Sequence, residues 1–305
     1  MQHPNKKYPL LAAAITAVLG ISTANASGFR IPEISILGLG TSNALVANTD
    51  ELGALPYNPA NMAFHDKNGV VAGVTYIGYD LKVDTTVQGG GPTDSTGEDS
   101  FFVPNIYAMA PGYGDWSFGL GINAPFGLET NWAVDTFPNF GPGTAQGAAP
   151  ELSRIEMINV NPNFSYKIDE STSCAVGLDI YDVRDLALNI QAEKILGSGS
   201  GFGWNIGLTK KLGSWNLGLS YRSSVKTDLS GSAIQAAGAI AATSEVEFPD
   251  ILQFGAHWQA TDSFGVELDV ERTGWSSFDK IQVDSPAGNI TTSTNNWDDA
   301  LSLIH

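Results

Sequence analysis

From residue 116 to residue 128 the chain alternates without interruption. Trp116, Phe118, Leu120, Ile122, Ala124, Phe126 and Leu128 share one parity, and Ser117, Gly119, Gly121, Asn123, Pro125 and Gly127 fill the other. Successive side chains of a strand point to opposite faces, so this tract predicts a strand with one greasy face and one small or polar face. The same period appears where Gly73, Thr75, Ile77, Tyr79, Leu81 and Val83 oppose Ala72, Val74, Tyr76, Gly78, Asp80 and Lys82, and again over 101–109. Over 156–168, Ile158, Val160, Phe164, Tyr166 and Ile168 oppose Asn159, Asn161, Asn163, Ser165 and Lys167. Further tracts at 174–190, 202–209, 215–224, 246–259 and 264–273 bring the expectation to about nine strands.

The connections decide what the greasy faces meet. Those at 111–114, 169–172, 211–213 and 260–263 are tight, and those between are mostly longer and polar. A transmembrane barrel has short turns on one side and long loops on the other, whereas a soluble sandwich has no reason to segregate them. Trp116, Tyr166, Trp215, Trp258 and Phe264 lie near the tight turns, where an interfacial girdle belongs. The expected fold is therefore all-β, a transmembrane antiparallel barrel. Arg154, Glu156 and Arg272 fall on the apolar parity only at loop-side strand ends, where a charge costs little. Strict alternation from Cys174 also points Asp182 and Arg184 outward; either they sit at the outer interface or a bulge turns them inward.

Composition narrows the class further. Lys6 and Lys7 precede an apolar stretch over 9–19 and the small-residue site Ala24-Asn25-Ala26, which predicts a signal peptide over 1–26. The apolar stretch is too short for a membrane anchor, which needs roughly 20 apolar residues. With 43% hydrophobic residues and no later uninterrupted apolar run, helical spans are excluded. The formal charge of -17 becomes two units more negative once the signal lysines leave, which excludes a nucleic-acid partner. Cys174 is the single cysteine, so no internal disulfide forms.

Residues 27–67 are too long for a tether and too irregular for strands, and a plug packed inside the barrel fits them. Ser27-Gly28-Phe29, Gly38-Leu39-Gly40 and Asn58-Pro59-Ala60 in this segment resemble the hatch of the FadL-like outer-membrane transporters of long-chain fatty acids and other hydrophobic compounds. Phe118-Gly119-Leu120-Gly121, Phe126-Gly127-Leu128 and Trp275-Ser276-Ser277-Phe278 resemble barrel segments of the same family in the same order.

The resemblance implies a fourteen-stranded barrel whose hatch, here 27–67 with the motif Asn58, Pro59 and Ala60, fills the lumen of the barrel over 68–305. It implies passive uptake of a long-chain fatty acid or another hydrophobic small molecule, with outer-membrane lipid around a monomer and no cofactor or metal. Apolar groups near the hatch N-terminus, Phe29 and Ile31, and a basic residue, Arg184, become the candidate lumenal ligand contacts. A kink in the third strand becomes the lateral opening, at Asn123, Pro125 and Gly127; proline cannot donate to a ladder and glycine tolerates unusual dihedrals. Ile234, Ala237 and Ala241 follow helical spacing in a loop, as an amphipathic capture helix would, although Gly238 shares that face and the small side chains could equally pack on neighbouring loops.

About nine strands and the opening of a tenth, over 297–304, precede His305, whereas an open barrel edge has no backbone partners in lipid. The expectation is a fragment lacking the family's last strands, or an unusual closure. As an enzyme the chain offers only His65 and His257, neither with a nucleophile nearby in sequence. The glycine-rich run over 197–203 lacks the lysine and strand-to-helix context of a phosphate loop and reads as a flexible loop, and the acidic run over 94–99 lacks calcium-loop spacing. The rival reading is an adhesin or structural barrel, or a general porin, and it turns on what fills the lumen.

Overall fold

A computed structural model of the chain describes residues 28–83, 93–94, 100–132, 149–190 and 192–304. The expected signal peptide and most of the acidic run over 94–99 lie outside the described residues. A short helix α1 (Ile36–Gly40) and 3-10 turns at Leu52–Ala54 and Pro59–Phe64 come first. The strands then follow as β1 (Gly69–Gly78), β2 (Lys82–Val83), β3 (Thr93–Asp94), β4 (Ser100–Pro111), β5 (Trp116–Asn123), β6 (Gly127–Asn131), β7 (Pro150–Asp169), β8 (Thr172–Ile190) and β9 (Glu193–Leu212). After them come β10 (Trp215–Arg222), β11 (Val225–Gln235), β12 (Gly238–Phe248), β13 (Ile251–Thr261), β14 (Phe264–Thr273), β15 (Lys280–Ser285), β16 (Gly288–Thr294) and β17 (Ala300–Ile304).

One antiparallel sheet follows the order β1-β4-β5-β7-β8-β9-β10-β13-β14-β17, ten strands in line, with β1 and β17 at its edges among the described residues. The remaining large strands are upper halves of the same staves. β10 pairs with β9 near the tight turns and β11 pairs with β9 farther along; β12 continues β13, β15 continues β14, and β16 continues β17. β5 and β6 likewise share β7 as partner.

Among the described residues five staves are thus broken, and the breaks explain where the aromatic core sits. Pro125 and Pro249 cannot donate to a ladder, and Gly274 follows Thr273 at a third break. The interruptions bring Phe126, Phe248, Trp275, Phe278 and Trp297 around Phe29, with ring centroids 4.7 Å (Trp275), 5.0 Å (Phe278), 5.8 Å (Trp297), 6.0 Å (Phe126) and 6.4 Å (Phe248) from it. Phe126, expected on the lipid side with Trp116 and Phe118, is instead fully buried in this cluster, because the break at Ala124 and Pro125 reverses its parity.

Elsewhere the alternation holds. Val70, Val74 and Tyr76 on β1, Trp116, Phe118 and Leu120 on β5, Phe164 and Tyr166 on β7, and Phe202, Trp204 and Ile206 on β9 are exposed, and form the apolar belt that lipid requires. Asn159, Asn161, Asn163 and Ser165 are buried on the inner face. The girdle residues pair between neighbouring strands beside the tight turns, Trp116 with Tyr166 at 4.9 Å and Trp215 with Trp258 at 5.9 Å.

Four expectations need correction. The first strand ends at Gly78 rather than Val83. The glycine-rich run over 197–203 is part of β9, not a loop, because its glycines lie tight against β11: a Cβ on Gly199 would stand 1.9 Å from the Asp228 carbonyl oxygen. Residues 246–259 form two strands, parted at Pro249 and Asp250. Ile234, Ala237 and Ala241 do not form a helix: β11 and β12 make a hairpin in which Ile234 lies opposite Ala239, and cross-strand pairing with β9 overrides the helical spacing.

Candidate functional site

The segment from Gly28 to Asp66 packs on the inner face of the sheet through polar groups of the wall. The Asp269 carboxylate accepts the backbone N–H groups of Leu45 (2.9 Å) and Val46 (3.1 Å), and Glu267 accepts that of Ala47 (2.7 Å). Arg30 and Glu271 form a buried ion pair. The Tyr107 hydroxyl donates to the Ile34 carbonyl, and Ser173 Oγ donates to the Ala60 carbonyl at 2.8 Å. Glu267, Asp269 and Glu271 occupy alternate positions of β14 and so share its inner face. That period-two acidic run was visible in the sequence and was the one signal that could have located these ties; their partners in the segment carry no such mark.

Of the sequence-predicted residues, Asn58, Pro59 and Ala60 are brought together with the wall. Asn58 Nδ2 donates to the carbonyl of Val46 (2.9 Å), the carbonyl of Leu208 (3.2 Å) and Thr209 Oγ1 (3.0 Å), while its Oδ1 caps the following turn at Ala60 N. Pro59 starts that turn, where a missing N–H costs nothing. Gly207 makes room, since a Cβ there would stand 2.3 Å from Asn58 Oδ1. Asn58→Leu should therefore lower stability by about 1 to 3 kcal/mol through unsatisfied buried acceptors, measured by denaturant titration of the detergent-solubilised chain; an unchanged midpoint would refute the anchoring role.

Phe29 and Ile31 meet the third-strand kink. Ile31 N donates to the Pro125 carbonyl (2.9 Å), and Gly127 N donates to the Phe29 carbonyl (3.0 Å), so a two-bond bridge satisfies backbone groups that the break would leave bare. Phe29 belongs to the aromatic cluster, and Ile31 lines the neighbouring cleft.

That cleft, of about 1030 Å³, lies where the ladder between β4 and the third stave stops. β4 pairs with β5 only from Ile106 to Pro111, and β6 pairs with β7 alone, so residues 100–105 of β4 and β6 face each other unpaired among the described residues. A proline stands on each edge, Pro104 and Pro125, and both line the cleft wall or its break. Pro104 interrupts an otherwise regular tract in the sequence, and that signal was missed. The lining combines inward groups such as Val103, Asn105, Asn123 and Met157 with exposed ones such as Phe102 and Ile106. The cleft thus runs from the interior to the lipid-facing surface.

Arg184 is not lumenal. It is exposed on β8 and pairs with Asp182 at 3.4 Å; Arg184 lies within the register shift between Val183 and Leu186, and the shift leaves its side chain outward. Asp182 lies opposite Ser200, one rung-pair beyond Ile180 and Phe202, at the outer border of the apolar belt. Arg154 is held by Glu129 (2.7 Å) and Asp185 (3.0 Å) at the same end. His65 is half-buried, and burial holds its imidazole below the ordinary histidine value. His257 hydrogen-bonds Glu267 at 3.1 Å and Gln259 at 3.0 Å, a bonded filler of the wall.

An antiparallel wall with an apolar belt, an interior filled by its own N-terminal segment, and an apolar cleft through the wall define an outer-membrane transport barrel. The chain belongs to the Outer membrane protein transport protein (OMPP1/FadL/TodX) family, whose sequence profile matches residues 17–304. It is 26% identical to the long-chain fatty acid transport protein of Salmonella typhi, over 91% of this chain and 73% of that one. It is likewise 26% identical to outer membrane protein P1 of Haemophilus influenzae, over 90% and 72%. Among solved structures, a Pseudomonas aeruginosa FadL homologue superposes with a TM-score of 0.71 at 18% identity, over 91% of this chain and 76% of that chain. The Ralstonia pickettii toluene transporter TbuX superposes with a TM-score of 0.68 at 20% identity, over 85% and 79%. The family is one of transport channels in the outer membrane, not of enzymes.

Proposed function

We propose that the chain carries long-chain fatty acids or similar hydrophobic compounds passively across the outer membrane. Capture occurs at the extracellular end, where the β11–β12 hairpin exposes Ile234, Ala237 and Ala241. The residues over 27–67 act as a hatch, and the compound leaves laterally into lipid at the third-strand kink. Relatives named for long-chain fatty acids and structural neighbours named for toluene bracket the substrate class.

The observation that carries the reading is the cleft at the interrupted ladder, flanked by Pro104 and Pro125 and bridged from inside by Phe29 and Ile31. An apolar solute needs a continuous greasy surface into the bilayer, because entry into the aqueous periplasm would cost its whole transfer free energy. A gap in the hydrogen-bond ladder opens that surface, and the backbone of Phe29 and Ile31 satisfies the Gly127 N–H and the Pro125 carbonyl at its edge.

Combining Pro125→Ala with Gly127→Val tests it. The pair restores a ladder donor and adds a Cβ that would stand 2.8 Å from Ile31 Cδ1, straightening the stave and crowding the cleft. Uptake of a radiolabelled apolar compound into cells should fall at least tenfold with the barrel still folded; unchanged uptake would remove the lateral route. A general porin would instead show large stable ion conductance in planar bilayers, and that result would overturn the transporter reading.

A further inference from the structure

Across the staves beside the cleft runs a row of inward amides at one height. Asn123 lies opposite Asn159 in the β5–β7 ladder, and Asn159 lies opposite Tyr181 in the next. The β4–β5 ladder stops at Ile106 opposite Ile122, so Asn105 and Asn123 occupy the first rung after pairing ends. Asn105, Asn123 and Asn159 are 1%, 3% and 1% exposed.

A buried amide without partners is costly, and native interiors rarely keep one. Here, among the described residues, Nδ2 and Oδ1 of Asn105, Oδ1 of Asn123 and Oδ1 of Asn159 all lack a hydrogen-bond partner. Asn105 and Asn123 line the cleft. Val103, Phe126 and Met157 line the same cleft, so the two amides are polar points set among apolar side chains, an arrangement by which small-molecule sites fix orientation.

The charges decide which polar group fits. The basic residues lining the described cleft are Arg154 and Arg184, and both are already paired, with Glu129 and Asp185 and with Asp182. Glu156 adds a further negative charge to the same lining. A carboxylate entering here would meet acidic neighbours and no free cation among those residues, and would be desolvated without compensation. A hydroxyl both donates and accepts, and so satisfies an amide in either orientation of its oxygen and nitrogen.

We propose that Asn105 and Asn123, extended by Asn159, form a polar subsite at the wall gap for the hydroxyl of an otherwise apolar compound, an alcohol or phenol, in preference to an ionised carboxylate. The inference rests on the transport reading above, and narrows its substrate class at this point of the route.

The test is equilibrium binding of radiolabelled 1-decanol, decane and decanoate at pH 8 to the full chain in detergent, with protein-free micelles subtracted. The wild-type chain should bind decanol about fivefold or more tighter than decane or decanoate. Asn105→Leu, a near-isosteric change that removes an amide whose two polar atoms both lack partners, should bring decanol binding down to the level of decane. Equal binding of decanol and decane by the wild type, or decanoate binding tighter than decanol, would overturn the subsite while leaving the transport reading in place. If none of the three binds, the transport reading falls, and the subsite with it.

Discussion

Glu271→Ala is expected to destabilise the folded chain by about 3 to 5 kcal/mol, the cost of leaving one member of a buried ion pair without its partner. The side chains of Arg30 and Glu271 are only 6% and 2% exposed, so water cannot replace the lost carboxylate. Glu271 also accepts from Gln253 Nε2 (2.8 Å) and Thr273 Oγ1 (3.1 Å), which fixes it against the wall. Arg30 stands between Phe29 and Ile31, whose backbones bridge Pro125 and Gly127, so the loss should also free the kink. Urea titration in detergent reads the stability, and limited proteolysis reads release of the segment near residue 30. The double variant Arg30→Met with Glu271→Leu should recover most of the loss, because it removes both charges together. A stability unchanged in Glu271→Ala would show that the pair does not hold the segment.

Gly218→Val should have the second large effect, and its mechanism is steric. Gly218, Gly255 and Asp269 lie on one rung across β10, β13 and β14. The two glycines let the backbone of residues 45–47 approach, and the carboxylate then captures its N–H groups. A Cβ on Gly218 would stand 2.2 Å from the Val46 carbonyl oxygen, which is backbone and cannot rotate away. Overpacking alone costs about 1 to 3 kcal/mol. Each charge-assisted bond lost to Asp269 or Glu267 adds about 1.5 to 3 kcal/mol. The segment should leave the wall, and the planar-bilayer conductance of the variant should rise from near zero to that of an open water channel. Wild-type conductance together with wild-type protease protection of residues 44–48 would refute it.

Both effects arise inside the lumen, where the sequence was least legible. The lipid face was readable because the apolar parity of a strand depends only on its own backbone and on the medium, so Trp116, Phe118, Leu120, Phe164 and Tyr166 fell where alternation put them. The inward asparagine stripe of β7 was readable for the same reason. Asn123, Pro125 and Gly127 were legible as a kink because proline and glycine have local consequences. Arg184 faces outward as its parity indicates, against the lumenal place that the family resemblance implies. Residues 234–241 misled because alanines and a single isoleucine satisfy a helical period and a hairpin equally well, and only pairing with β9 separates the two.

From its own pattern the sequence determined an antiparallel transmembrane wall, its greasy side, its tight turns and the place where one stave must break. Tertiary structure alone decided that five staves break rather than one, that Phe126 turns inward to join Phe29, and that the segment over 28–66 hangs on Asp269, Glu267 and Glu271. The physical reason is the range of the forces. Exposure to lipid is a property each residue meets alone, whereas Arg30 and Glu271 stand 241 positions apart, and a buried charge is placed only by the partner that neutralises it.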